Sequence, residues 1–261
     1  MDGMRWFMQS NLTRGTMPCE LWGYLCINNS TMKFGVVIFP GSNCDQDLIH
    51  VIRNVMKQPC EELWHKDHSL RGCDFILLPG GFSYGDYLRS GAIARFSPIM
   101  QEVIEFADKG GFVFGICNGF QILTESRLLP GALLHNKNHQ FICKNVHLRC
   151  ETDESVISSK LNVGQRITVP IAHGEGRFHC DAETLAELQA NNQVLFRYCD
   201  ESGNVSEEAN PNGALDNIAG ICNKGRNVFG MMPHPERCSS PLLGNTDGKR
   251  IFDSILNTVL A

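Results

Sequence analysis

Short apolar runs alternate with amphipathic segments along residues 32–125, and this alternation restricts the fold more than any other feature. The runs are rich in β-branched or aromatic residues, as in "FGVVIF" at residues 34–39, and the first two end in Pro-Gly. The amphipathic segments carry apolar residues at helical spacing. This alternation predicts a parallel sheet with helices on both faces. We predict strands at residues 34–39, 75–78 and 111–116, and helices at 46–57, 99–109 and 120–125.

The second half of the chain is richer in β-structure, and it contains no repeat, low-complexity tract or linker. One α/β domain over residues 32–261 is therefore the simplest interpretation. Residues 1–31 hold few charges and show neither the helical nor the strand periodicity of apolar residues, so we expect a weakly ordered leader. Further strands are predicted at 141–148, 166–172, 194–199, 218–222 and 227–231, and helices at 182–190 and 249–260.

Composition excludes several classes of function. The net charge of the 261 residues is -5, so a basic nucleic-acid-binding surface is disfavoured. No apolar stretch approaches the roughly 18 residues that a membrane span requires. The 12 cysteines form no C-x-x-C pair, which argues against a zinc ribbon or redox dithiol. With no signal peptide, this cysteine usage is typical of a reducing cytoplasm.

Cys117 stands between a predicted strand and a predicted helix in "GICNGFQ". Strand, tight turn and helix form the geometry of a nucleophile elbow, and Gly115 and Gly119 permit close backbone approach. The helix N-terminus favours a thiolate, and the N–H of Asn118 can help to hold an oxyanion. A buried structural cysteine is the alternative.

His234 and Glu236 lie in "MMPHPER", where flanking prolines predict an extended segment. Residues two apart in such a segment face the same side, so the carboxylate can orient the imidazole as a base for Cys117. A surface turn with an ion pair is the alternative. In "LPGGFSYGD" the amides of Gly80 and Gly81 follow a strand and can supply a second oxyanion donor, although a Gly pair also marks ordinary turns. In open α/β sheets, the loops that follow the carboxyl ends of the strands meet at one edge of the sheet, where ligands bind. We therefore expect this loop to lie near Cys117.

These motifs resemble class I glutamine amidotransferases, and the other blocks narrow the resemblance to glutaminase subunits of phosphoribosylformylglycinamidine synthase. The resemblance covers residues 33–261 and implies a flavodoxin-like, open, mostly parallel α/β sheet with helices on both faces and a small antiparallel β-rich region. The blocks are "FPGSNCDQD" (39–47), "PGGFSYGDYLRSGA" (79–92), "GICNGFQILTE" (115–125), "PIAHGEGRF" (170–178), "ANPNGALDNIAGI" (209–221) and "GMMPHPER" (230–237).

The resemblance implies hydrolysis of glutamine to glutamate and ammonia. A large ATP-dependent synthase subunit would use the ammonia to convert formylglycinamide ribonucleotide to the amidine, and a small subunit would bridge the two. Cys117 would be the nucleophile, His234 the base and then acid, and Glu236 the orienting group. The oxyanion hole would comprise Gly81 and Asn118, and the substrate-binding residues would be Gln121, His173, Gly174, Glu175 and Gly176.

No metal or cofactor is expected in this chain, and ATP and magnesium would belong to the synthase subunit. No G-x-x-x-x-G-K-[ST] motif occurs, in agreement with this expectation. Two other functions stay open: a glutaminase serving another acceptor, which the "HGEG" and "NPNG" blocks disfavour, and a stand-alone hydrolase or peptidase with the same elbow. A non-enzymatic scaffold is disfavoured because all three triad residue types are present.

Starting the chain at Met32 is expected to leave glutamine-dependent activity unchanged, because the predicted core begins with the strand at residues 34–39. The measurement is glutamine-dependent amidation by the reconstituted complex with the full and shortened chains. A large loss of activity or solubility would show that residues 1–31 pack against the domain.

Overall fold

The computed structural model describes residues 31–259, so the predicted leader lies outside the described residues except for Thr31. The strands are β1 (Phe34–Ile38), β2 (Cys60–Trp64), β3 (Phe75–Leu78), β4 (Phe112–Ile116), β5 (Ala132–Leu134), β6 (Ile142–Cys150), β7 (Arg166–His173), β8 (Arg177–His179), β9 (Val194–Cys199), β10 (Ile218–Cys222) and β11 (Val228–Met231). The helices are α1 (Asp45–His50), α2 (Pro98–Asp108), α3 (Asn118–Glu125), α4 (Ala182–Ala190) and α5 (Lys249–Val259).

Nine strands form one mixed sheet in the order β2-β1-β3-β4-β11-β10-β9-β6-β7. The first five strands in this order are parallel, and the central β3 is buried at every residue. Continuous apolar strands of this kind require cover on both faces, and the helices provide it. The predicted fold class, an open flavodoxin-like α/β sheet with a small antiparallel region, is confirmed.

The antiparallel region continues the same sheet through β10, β9, β6 and β7, and β5 pairs with β8 in a separate two-stranded sheet. The edge strand β7 returns to the segment that follows β11, where the N–H of His234 donates to the carbonyl of Pro170 at 2.8 Å. This contact brings the antiparallel half of the sheet against the carboxyl ends of the parallel strands.

Three strands and one helical irregularity were not predicted from the sequence. β2 reads "CEELW" and buries only Leu63, because it lies at the sheet edge, so it lacks a strand-like apolar pattern. β5 and β8 are three residues each, too short for a period to show. The predicted helix at 46–57 begins as α1 and continues as a π-helical turn over Val51–Val55. No described helix is long and apolar enough to cross a membrane.

Two glycines allow α3 to pack directly on the strands. A Cβ at Gly119 would collide with the carbonyl oxygen of Leu78 in β3, and a Cβ at Gly115 would lie 2.5 Å from the carbonyl oxygen of Gly119. Both obstacles are backbone atoms, which cannot move without shifting the strand or helix. The first turn of α3 is therefore placed by backbone contact, without intervening side chains.

Replacing Gly119 with Ala is expected to lower the free energy of unfolding by about 3 kcal/mol or more, because a methyl group would overlap backbone. The measurement is urea denaturation. Gly203→Ala is the matched control, since Gly203 has a φ of 86° but open space around its Cβ position. That control should cost only about 1 kcal/mol of backbone strain. Equal losses for the two variants would contradict the contact.

Candidate active site

Cys117 lies between β4 and α3 with φ 51° and ψ −106°, a conformation that non-glycine residues rarely adopt. Its N–H donates to the carbonyl of Met231 at 2.8 Å, which anchors the turn to β11. The side chain is buried, and Sγ lies 3.8 Å from the carbonyl oxygen of Ala172 on β7. Backbone strain of this kind is typical of functional sites and fits a nucleophile elbow.

The imidazole of His234 and the carboxylate of Glu236 form a buried pair, with 2.6 Å between Nδ1 and Oε1. The extended segment predicted around them is wrong beyond His234, because Pro235–Cys238 form a 3-10 turn. Proline is compatible with the first position of a helical turn, since its missing N–H would have no partner there. The turn still brings the two side chains together.

Charge around His234 favours the imidazolium form. Burial alone would lower the pKa of His234, but the carboxylate of Glu236, followed by Cys117 and Cys44, raises this pKa well above its ordinary value. Among residues 31–259, Nε2 of His234 has no hydrogen-bond partner, and the Cys117 thiol faces Ala172 instead. The thiol of Cys117 is nevertheless close enough to the imidazole to contribute to its raised pKa.

The loop after β3 lies against both of these side chains. A Cβ at Gly80 would lie 2.7 Å from Cε1 of His234 and 3.3 Å from Cβ of Cys117. Gly81, with φ 130°, makes an isolated bridge to Ser42 in the loop after β1. Asn118 is the first residue of α3, so its N–H has no intrahelical partner. The structure thus brings Gly81 and Asn118 to the same edge of the sheet as Cys117.

Side-chain amides connect this loop to α3 and to the turn after β7. The amide oxygen of Asn118 accepts from the N–H of Ser83 at 3.2 Å, and its nitrogen donates to Asp86 at 3.3 Å and to Gln121 at 2.8 Å. Gln121 in turn donates to the carbonyl of Glu175 at 2.5 Å. Gln121 and Glu175, predicted to bind substrate, are therefore joined through Asn118 to the loop after β3.

The predicted substrate-binding turn "HGEG" directly follows the carbonyl of Ala172. His173 is buried, with Nδ1 3.0 Å from Oδ1 of Asn136, whereas Gly174 and Glu175 are partly exposed. A Cβ at Gly176 would overlap the ring of His173. Within this turn, His173 and Gly176 are thus buried against each other, whereas Gly174 and Glu175 are more accessible to solvent.

Asp86 shares the same surroundings. Burial, opposed by hydrogen bonds from Ser90 and Asn118 and reinforced by Glu175, raises the pKa of the Asp86 carboxyl to about 6. The N–H of Ser90 also donates to Glu175 at 3.3 Å. The loop after β3 is therefore held to the "HGEG" turn at a second point.

Three residues near the site were not predicted from the sequence. Cys44 raises the pKa of His234 and accepts from the guanidinium of Arg237 at 3.0 Å. Asn136 holds His173, and the fully buried Tyr198 on β9 lies near Cys117. Cys44 lies in one of the blocks that carry the family resemblance, but no local pattern indicates a role for it. The same holds for Asn136 and Tyr198, because tertiary folding alone brings these residues to Cys117.

Cys44, His234 and Glu236 are the one group of metal-ligand residues found within residues 31–259, with their ligand atoms within 4.8 Å of one another. The bond between Nδ1 of His234 and Oε1 of Glu236 occupies one atom of each of these residues. The arrangement is that of a hydrogen-bonded dyad beside a thiol, and Nε2 of His234 and Oε2 of Glu236 have no hydrogen-bond partner among the described residues.

Most of the remaining cysteines within residues 31–259 are buried and are expected to be unreactive. Burial raises the pKa of the Cys73, Cys150 and Cys222 thiols to about 11 and that of Cys238 to about 12. Thiols with raised pKa values are poor nucleophiles at neutral pH. Their role is packing, as the neighbouring apolar runs of Cys73 and Cys222 indicate.

Comparison with known proteins identifies the family. Residues 31–251 match the model of the CobB/CobQ-like glutamine amidotransferase domain. The chain is 59% identical to phosphoribosylformylglycinamidine synthase subunit PurQ of Koribacter versatilis, over 87% of this chain and 99% of that protein. The chain belongs to the PurQ family. The PurQ subunit of Acaryochloris marina is 55% identical, over 88% of this chain and 98% of that protein.

A solved structure gives the same result. A chain of PurLQS from Thermotoga maritima superimposes with a TM-score of 0.77 at 41% sequence identity, and the match covers 88% of this chain and 99% of that chain. The family resemblance drawn from the sequence motifs is therefore confirmed, and the likeness extends over nearly all of the described fold.

Replacing Glu236 with Gln is expected to change how stability depends on pH. With Glu236 present, the folded-state pKa of His234 is raised, so its stabilising effect is complete below the ordinary pKa near 6.5 and declines as pH rises through the raised value. Without the carboxylate, burial, which lowers this pKa, loses the largest effect that opposes it, so the decline should be weaker and should occur at lower pH. The measurement is urea denaturation between pH 6 and 9.

Glu105→Gln is the matched control, because Glu105 forms only an exposed ion pair with Lys109. Its curve of unfolding free energy against pH should run parallel to that of the unaltered chain, since exposed pairs contribute little. A parallel curve for Glu236→Gln would contradict the coupling of His234 to Glu236.

Proposed function

We propose that this chain hydrolyses glutamine to glutamate and ammonia at Cys117, with His234 and Glu236 as the other members of a catalytic triad. The observation that carries the proposal is the convergence of a strained elbow cysteine and a buried His–Glu pair on the same glycine, Gly80. Nucleophile, base and orienting carboxylate in that arrangement perform acyl transfer on many folds.

The chemistry follows from these positions. The Cys117 thiolate attacks the side-chain amide carbon of glutamine, while the N–H groups of Gly81 and Asn118 stabilise the oxyanion. The His234 imidazolium, favoured by Glu236, donates its proton to the departing ammonia. Water then attacks the γ-glutamyl thioester, with neutral His234 as the base. Gln121 and the "HGEG" turn from His173 to Gly176 would bind the amino-acid end of glutamine.

The chain supplies ammonia for the conversion of formylglycinamide ribonucleotide to the amidine in purine biosynthesis. Its partners are the large synthase subunit and the small bridging subunit, as the PurLQS structure and the PurQ relatives support. We assign ATP and magnesium to the synthase subunit and no cofactor to this chain. A reactive thiolate requires a reducing compartment, so we place the enzyme in the cytoplasm.

Replacing Cys117 with Ala should abolish glutamine-dependent amidation, with a loss on the order of a millionfold, because the thioester cannot form. The variant should fold normally, and ammonium salts should still support amidation in the reconstituted complex. The measurement is amidation with each nitrogen source. Near-normal glutamine hydrolysis by the variant would end the assignment of Cys117.

Cys222→Ala is the matched control, because Cys222 is a buried thiol on β10 with a pKa raised by burial. It should retain glutamine-dependent activity, so that loss on substituting Cys117 reflects chemistry and not cysteine removal in general. A stand-alone hydrolase would instead release ammonia at full rate without the synthase subunit and accept larger γ-glutamyl substrates.

A further inference from the structure

His173, on β7, has a ring nitrogen that the fold leaves unused. The side chain is 3% exposed, and its Nε2 has no hydrogen-bond partner among the residues that the structure describes. Burial, followed by the charge of His234, lowers the pKa of His173 to about 4. The ring is therefore neutral at physiological pH, and it lies close enough to His234 for the two charges to interact.

The surrounding hydrogen bonds determine which nitrogen of His173 carries the proton. The amide nitrogen of Asn136 donates to two carbonyl oxygens, those of Gln140 and His173, each at 2.8 Å. Its amide oxygen accepts from the N–H of Gly176 at 3.2 Å. Both observations place the oxygen of Asn136 toward His173, so Nδ1 must be the protonated donor across the 3.0 Å contact.

Nε2 of His173 therefore carries a lone pair and can only accept a hydrogen bond. An unpaired buried acceptor is costly, and such groups in folded proteins usually have a partner or a functional reason. The preceding residue, Ala172, places its carbonyl oxygen 3.8 Å from Sγ of Cys117. His173 directly follows Ala172, and its ring is close enough to His234 for the two charges to interact, so the unused acceptor belongs to the neighbourhood of the reacting groups.

We propose that Nε2 of His173 accepts a hydrogen bond from the water molecule that hydrolyses the γ-glutamyl thioester. The proposal rests on the glutaminase activity proposed above. It adds a second hydrogen-bond acceptor for the water, besides His234, and assigns the side chain of His173 to deacylation. The backbone of the "HGEG" turn from His173 to Gly176 would still bind the amino-acid end of glutamine, and only the side chain of His173 takes this further role.

The step balances with two acceptors. The water oxygen bonds to the thioester carbon, one water hydrogen passes to Nε2 of neutral His234, and the C–S bond breaks to release the Cys117 thiolate. The second hydrogen stays on the oxygen, which becomes part of the new carboxyl group of glutamate, and its hydrogen bond to His173 is kept throughout. No oxidant, metal or cofactor enters the step.

Water needs this acceptor more than the substrate amide does. The amide is held through the rest of the glutamine molecule, whereas a water molecule has only its own hydrogen bonds to fix its orientation. One contact to His234 leaves the oxygen free to rotate away from the thioester carbon. A second contact removes that freedom, and misplacement of a reacting atom can cost about a hundredfold in rate.

The first test determines the tautomer in the isolated chain by ¹⁵N NMR of labelled histidines. His173 should show a protonated Nδ1 and an unprotonated Nε2 between pH 6 and 8. Assignment comes from the signal lost in His173→Asn. A proton on Nε2, or a doubly protonated ring in this range, would overturn the proposal without any measurement of activity.

The second test separates acylation from deacylation in the reconstituted complex. His173→Asn retains a donor for Asn136 but removes the acceptor, and His173→Gln places an amide oxygen near the position of Nε2. His147→Asn is the matched control, because His147 lies on the neighbouring β6 with its ring 3.1 Å from Thr168. Rapid-quench assays measure the release of ammonia and of glutamate, and intact mass spectrometry detects the γ-glutamyl adduct.

For His173→Asn we expect a normal burst of ammonia, glutamate release slowed roughly tenfold to a hundredfold, and accumulation of the adduct on Cys117. Hydroxylamine, a stronger nucleophile than water, should restore turnover, and His173→Gln should recover part of the rate. The steady-state KM for glutamine should fall together with kcat, because deacylation limits turnover. His147→Asn should behave like the unaltered chain.

The proposal is wrong if His173→Asn slows the ammonia burst as much as glutamate release, with no adduct, or if KM rises at unchanged kcat. The second result would indicate substrate binding by His173. If both His173 variants fail to fold, as thermal melting would show, the role of His173 is structural and the proposal is also wrong. Failure of the unaltered complex to release ammonia from glutamine would instead contradict the proposed function.

Discussion

The edge of β7 joins the antiparallel half of the sheet to the active-site segments of the parallel half. Its backbone carbonyls point away from the sheet, where Pro170 accepts from the N–H of His234 and Ala172 faces the thiol of Cys117. Proline at position 170 has no N–H of its own to pair, which suits an edge strand. Because these acceptors belong to the antiparallel half, the geometry of the site depends on how that half packs against the parallel strands.

A second constraint is the density of backbone around the elbow. Gly115, Gly119 and Gly80 each occupy a position where a Cβ would meet backbone or a site side chain, so three elements meet without intervening side chains. Asn118 then links the loop after β3 to α3 through Ser83 and Asp86. The oxyanion donors proposed here are consequently located by hydrogen bonds within this chain.

Local sequence patterns predicted much of this arrangement. Most of the residues that they missed reach the site only through the tertiary fold. Cys117 was visible because strand, turn and helix are adjacent in sequence, and His234 with Glu236 because they are two residues apart. Asn136 and Tyr198 come from distant segments that carry no motif of their own. β2 was not predicted because an edge strand that buries one residue shows no apolar alternation. The 3-10 turn at Pro235 was not predicted because flanking prolines indicate an extended segment.

The burial of His234 and Glu236 has a consequence for the chemical form of the product. The dyad is almost inaccessible to solvent, at 1% and 0% side-chain exposure, so it exchanges protons with bulk water only through the site itself. The imidazolium has one proton to give, at Nε2, and one proton is what the departing nitrogen needs to leave as neutral NH₃. In bulk water at neutral pH that base would become ammonium, which has no lone pair and cannot attack an electrophile. A closed dyad therefore releases nitrogen in its nucleophilic form, before it equilibrates with the solution.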